Sequence, residues 1–202
     1  MALHPRPFVP DFFDTVMLRK QHRFVLLRYV FIVMTLALSA GSARSDDANR
    51  GKALALVDAA IKMTDSQQAV KLLWQASDID PTLTEPYIYL GLYYNSKQDF
   101  EKLADVYKRL VKYQPREVSG YLNVGEAYMS FSPPKQEEAL TWYRKAYQID
   151  PNNSFAALRI GEILAQLGSR DEAIRYLRQA SNDSKNPPQA NEAQKLLRQL
   201  GS

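Results

Sequence analysis

Three sets of residues recur on one schedule in this chain, and no other feature limits its possible folds so tightly. Pro81, Pro115 and Pro151 lie 34 and 36 residues apart, Gly91, Gly125 and Gly161 repeat both intervals, and Ala69, Leu103, Ala139 and Ala173 follow at 34, 36 and 34. A fixed period of this length marks a supersecondary unit that cannot bury its apolar face alone and must stack on its neighbours. The single irregularity, two extra residues between Tyr128 and Ala139, falls around Ser132, Pro133 and Pro134, where a longer turn absorbs it.

Within each period the pattern is that of two helices. Glycine inside a helix costs about 1 kcal/mol relative to alanine, so Gly91, Gly125 and Gly161 imply the close approach of a second helix. Ala69, Ala139 and Ala173, small on that second helix, are expected to let one backbone nest against the other, with large residues filling the sides. The second helices are expected to stop at Asp80-Pro81, Gln114-Pro115 and Asp150-Pro151, because the residue before a proline is pushed out of helical geometry. After Pro187 and Pro188, residues Ala193, Leu196, Leu197 and Leu200 share a face opposite Gln194, Lys195, Arg198 and Gln199, the half-polar closing helix that a stack requires.

This pattern resembles the tetratricopeptide-repeat family. The second repeat matches its first-helix signature through Tyr87, Leu90, Gly91 and Tyr94 and its second through Leu103, Tyr107, Leu110 and Pro115. The third matches through Tyr121, Val124, Gly125, Tyr128, Ala139, Tyr143, Ala146 and Pro151, and the fourth through Ile160, Gly161, Ala173, Leu177 and Ala180. The first departs most, with Ala53, Val57 and Ala60 where a large residue, glycine and tyrosine are expected. The resemblance covers roughly residues 46–200. It implies an all-α, right-handed α-solenoid of helix-turn-helix repeats at about 50–83, 84–117, 118–153 and 154–187, closed by a capping helix over 189–200.

The resemblance also implies that the chain acts by binding protein in a concave groove lined by the first helices. Carried onto this sequence, the partner-binding groove consists of Leu54, Asp58, Ile88, Tyr89, Leu92, Leu122, Asn123, Glu126, Met129, Phe155, Leu158, Arg159 and Glu162. Apolar side chains dominate, interleaved with three acids and one arginine, so the expected partner is a protein or peptide segment that is apolar with some basic residues. Relatives that hold acidic chaperone C-termini use lysine, arginine and asparagine on this face. Here Asp58, Glu126 and Glu162 would repel such a ligand.

The N-terminal residues have a different logic. From Met17 the order is a basic stretch (Arg19, Lys20, Arg23, Arg28), an apolar run over Tyr29 to Ala40, then small residues, the layout of a secretory signal. The 12-residue run spans about 18 Å as a helix, short against a hydrocarbon core of roughly 30 Å. Export to a periplasm or medium with cleavage after Ala43 is therefore expected, with Met17 a candidate true initiator of a targeting segment 1–43. The alternative is an uncleaved anchor over 24–40 with Arg28 snorkelling, which would make the chain a membrane-bound tether.

Charge and missing residue types narrow the chemistry further. Of the net charge of +4, three units come from the segment before Arg44, so the repeats carry no basic stripe and no nucleic-acid partner is expected. There is no cysteine, and both histidines, His4 and His22, precede Ala43. The usual general base and the usual zinc ligands are thus missing from the repeats, and no metal, cofactor or catalytic residue is expected. The acid pairs Glu137-Glu138 and Asp171-Glu172 are read as favourable charges at helix starts. An envelope hydrolase would need an inner-face acid pair with a partner base, which Glu126 and Glu162 lack in the sequence. Trp74 and Trp142 are read as packing residues.

Overall fold

The computed structural model describes residues 46–201, and the targeting segment with its Ala43 processing site lies outside them. Among the described residues there are nine helices and no strand. They are α1 (46–61), α2 (Ser66–Ile79), α3 (Glu85–Ser96), α4 (Phe100–Tyr113), α5 (Val118–Met129), α6 (Gln136–Ile149), α7 (Ser154–Gln166), α8 (Arg170–Ser181) and α9 (Pro187–Gln199). None of them is long and apolar enough to cross a membrane.

The helix ends follow local chemistry. α2, α4 and α6 end with Asp80, Gln114 and Asp150 in extended or near-extended backbone, each directly ahead of its proline. Side chains satisfy the free amides at four starts: Asp65 caps α2, Asp99 caps α4, Glu117 caps α5 and Asn153 caps α7. Glu137 and Glu138, and likewise Asp171 and Glu172, sit in the first turns of α6 and α8, where the helix dipole favours them. The Tyr87 hydroxyl donates to the Pro81 carbonyl at 3.1 Å, and one period later the Tyr121 hydroxyl donates to that of Pro115 at the same distance. Each inter-repeat turn is thereby tied to the helix that follows it.

From α2 onward every helix packs on its sequence neighbours, and α7 also touches α9. The first cluster joins Ala53, Val57 and Ala60 of α1 to Leu73, Tyr87, Leu90 and Leu110. A second gathers Leu140, Tyr143, Ile160, Ile163 and Leu164, and a third joins Leu158, Leu177 and Ala180 to Ala193 of α9. The closing helix therefore buries its apolar side and leaves Gln194, Lys195, Arg198 and Gln199 exposed.

The repeat glycines do admit close contact, but mainly with a side chain. A Cβ at Gly125 would lie 2.5 Å from Cε1 of Tyr143, and one at Gly91 would run into the Tyr107 ring. At Gly161 the obstacles are Leu177 Cγ at 2.7 Å and, for the backbone, the Ala173 carbonyl at 3.2 Å. At Gly161 the close approach includes the backbone carbonyl of Ala173, one of the small residues expected to admit it, whereas at Gly91 and Gly125 the nearest atoms belong to the rings four residues after Leu103 and Ala139. Just before the insertion, the Phe131 ring stacks on Tyr128 (6.0 Å between centroids) and tilts against Phe100 (6.1 Å).

Candidate functional site

Leu54, Ile88, Leu122 and Leu158 occupy one and the same repeat position, so α1, α3, α5 and α7 would present them identically if nothing else intervened. They are not presented identically. Leu54 and Ile88 are 42% and 46% exposed, Leu122 is half-buried, and Leu158 is 6% exposed. Leu158 is accordingly a correction to the groove expected from sequence. It packs with Leu177, Ala180 and Ala193, because the closing helix α9 lies against α7 and covers this position.

The bare end of the face is rich in apolar groups. Tyr89 and Leu92 of α3 are 38% and 61% exposed, beside Ile88 on the same helix. Ile61, at 51%, was not singled out from the sequence, although it stands two periods before Met129 and the repeat register alone marks it. Asp58 is exposed and accepts from Lys62 one turn later at 2.6 Å. That pairing leaves little net charge at this end of the face.

Further along, the face closes and becomes polar. Leu122, Met129 and Phe155 lean on the second core cluster, and Asn123 is half-buried. Glu126 on α5 and Glu162 on α7 are held by Arg159. Its Nη2 donates to Glu126 Oε2 at 3.1 Å and its Nη1 to Glu162 Oε2 at 2.9 Å, while Nε lies 2.9 Å from Glu126 Oε1 without pointing at it. The Phe155 ring supports the guanidinium at 5.1 Å. Burial works against the arginine's charge, but Glu126 and then Glu162 outweigh it and hold its pKa above the ordinary value. The Tyr143 hydroxyl donates to Glu126 Oε1 at 2.5 Å. Burial first, and that acceptor second, push the phenol well above the usual tyrosine range.

The groove residues thus divide into an apolar strip on α1 and α3 and a hydrogen-bonded cluster across α5 and α7. Two carboxylates share one guanidinium, so the cluster keeps a single net negative charge. Among the described residues there is no group of acidic or histidine side chains arranged to hold a metal ion.

The tetratricopeptide-repeat signature matches residues 137–200 of the chain. Among curated proteins, the chain is similar to anaphase-promoting complex subunit 3 of Schizosaccharomyces pombe, 23% identical over 109 residues that cover 54% of this chain and 16% of that one. It is also similar to the CTR9 homolog of Arabidopsis thaliana, 28% identical over 105 residues, or 50% and 9% of the two chains. The chain therefore spans less than a fifth of these relatives' length. Among solved structures it resembles MamA (21% identity, TM-score 0.54, 72% of this chain and 81% of that one). The TPR2B domain of yeast Sti1 with an Hsp70 peptide (23%, 0.52, 58% and 95%) and PcrH in complex with the chaperone binding region of PopD (19%, 0.52, 58% and 90%) are similar as well. At these identities the structural likeness shows the fold. A tetratricopeptide-repeat match covers residues 137–200, and the described residues form an all-α helical-repeat solenoid.

Proposed function

We propose that this chain is an exported interaction module, a scaffold or assembly factor, that holds a segment of another protein along the face of its first helices. The observation that carries this reading is the exposure of Leu54, Ile88, Tyr89 and Leu92 on two consecutive first helices, while at the repeat position of Leu54 and Ile88 Leu122 is half-buried and Leu158 covered. Exposed apolar side chains grouped in this way mark contact surfaces more often than isolated ones do. The structures of Sti1 and PcrH, which share the fold, are complexes with an Hsp70 peptide and with a region of PopD. Apolar anchors on the partner would seat on the strip, and a basic residue beyond them would meet the net negative charge of the Glu126–Arg159–Glu162 cluster. The anchors supply most of the affinity and the charges chiefly orient the segment.

Leu92 and Ile88 are the residues to change, since neither supports the core. Burying a leucine side chain contributes about 1.5–3 kcal/mol, so a double Ile88→Ser, Leu92→Ser variant is expected to hold the native partner at least tenfold more weakly at unchanged helical content. Crosslinking in the native host followed by quantitative recovery measures it. Undiminished recovery by a folded variant rules this face out as the binding surface.

Export rests on the order of basic, apolar and small residues from Met17 to Ala43. N-terminal sequencing of the mature protein from the same host is expected to read Arg44 first. Recovery of an intact 24–40 segment from membranes would instead support the tethered form of the same module.

A further inference from the structure

Successive second helices face one another across clefts that the repeat makes equivalent, and the three clefts are filled differently. Between α2 and α4, Arg109 reaches across to Asp78, and its Nη2 also donates to the Ser77 carbonyl at 3.4 Å. Between α6 and α8, Gln179 closes the gap, accepting from the Tyr147 hydroxyl and donating to the Pro151 carbonyl. The cavity that remains there is about 180 Å³. Between α4 and α6, steps of 34 and 36 residues from Asp78 and Arg109 lead to Lys112 and Lys145.

Two like charges cannot close a cleft. Lys145 folds back over its own Trp142 ring, 4.1 Å from the centroid, and Lys112 lies 5.3 Å from the ring of Tyr113. An open cavity of about 480 Å³ is left, with Val111, Pro115, Tyr121, Trp142 and Ile149 as its apolar lining. Tyr121 and Trp142 face each other with centroids 6.0 Å apart. Lys108 also borders the cavity but donates to Asp105 on its own helix at 3.3 Å. No carboxylate lines it, so Lys112 and Lys145 have no counter-charge within the cavity. None of its lining residues belongs to the first-helix groove.

We propose that this cleft is a second binding site, for an acidic protein segment that carries an aromatic or aliphatic side chain. The side chain enters between Val111, Tyr121 and Trp142, and carboxylates on either side of it accept from Lys112 and Lys145. The volume lies within the range of sites that enclose a small ligand, so one large side chain and its flanking backbone fill it. A nucleic-acid strand is the poorer occupant, because phosphate binding draws its strength from a run of cations that displaces many counterions, and here three lysines, one of them paired with Asp105, border one apolar pocket. The neighbouring clefts supply the internal control: Arg109 bridges one to Asp78, and Gln179 narrows the other through Tyr147 and the Pro151 carbonyl.

The test uses the full-length chain and two fluorescently labelled synthetic peptides, one with a phenylalanine flanked on both sides by aspartates and glutamates, the other with lysines in place of the acids. Anisotropy titration is expected to show saturable binding of the acidic peptide, weakened by salt, and none of the basic one. A double Lys112→Glu, Lys145→Glu variant is expected to lose at least tenfold in affinity. Lys112→Asp, which restores across this cleft the acid–cation pair found between α2 and α4, is expected to do the same with its helical content intact. The groove variant Leu92→Ser is expected to bind the acidic peptide as well as the unmodified chain does. The proposal is overturned if the acidic peptide binds more weakly than about 1 mM, if both peptides bind alike, if folded lysine variants keep their affinity, or if Leu92→Ser loses it equally.

Discussion

Gly125→Leu is expected to cost about 3 kcal/mol of stability, lowering the melting temperature by roughly 6–12 °C for a domain of this size. A Cβ at that position would stand 2.5, 2.7 and 2.8 Å from three atoms of the Tyr143 ring. The ring has nowhere to go. Tyr143 is fully buried, and its hydroxyl is bound to Glu126 at 2.5 Å. Leucine's better helix propensity returns up to about 1 kcal/mol, which is less than the overpacking it causes. Gly125→Ala separates the two effects, because alanine gains as much propensity but introduces only the first clash, so it should fall between the two proteins. Thermal denaturation followed by circular dichroism decides the matter, and a melting temperature unchanged in Gly125→Leu would mean that the Tyr143 ring yields freely.

The second large effect is expected at Arg159. Arg159→Ala removes the donors shared by Glu126 and Glu162 and leaves two carboxylates without their common cation, one of them still accepting from the Tyr143 hydroxyl. Hydrogen bonds to charged groups contribute about 1.5–3 kcal/mol. With the Arg159 side chain 30% exposed and Glu126 37%, solvent screening reduces that, so a loss of about 2 kcal/mol is expected. The distinguishing measurement is a double-mutant cycle with Glu126→Gln. If the three side chains act as a unit, Glu126→Gln should cost clearly less in the Arg159→Ala background than in the unmodified chain, a coupling of about 0.5 kcal/mol or more. Simple additivity would show that the cluster is a set of independent surface pairs.

How far the sequence reveals this molecule depends on whether the determining contact is local. The stops before Pro81, Pro115 and Pro151 are backbone sterics between adjacent residues, so they are legible from the residues themselves, and with the three-register period they lead to the all-α repeat fold. The glycines announce a close approach but not what comes nearest: the Tyr143 ring against Gly125 becomes visible only once two helices are placed. Leu158 shows the same limit on the candidate site. Its repeat position is that of the exposed Ile88, and its burial comes from α9 through Ala193, far along the chain. The pairing of the inner-face acids has the same limit, since Arg159 binds Glu126 from α7 to α5, and counting charges on one face does not disclose who neutralises whom. Ile61 is within reach of the repeat register, since it stands two periods before Met129.

The unequal clefts between second helices give the repeats an order as well as a number. A stack of identical units tolerates loss or duplication of any member, because each interface is the same as the next. Here the facing positions run Asp78 with Arg109, Lys112 with Lys145, and Gln148 with Gln179. Excising 84–117 would set Asp78 opposite Lys145 and form a new complementary junction, whereas excising 118–153 would set Lys112 opposite Gln179 and carry an unmatched cation into the next joint. The chain is therefore a directional series of distinct parts, shortened without electrostatic mismatch at one joint and not at the other.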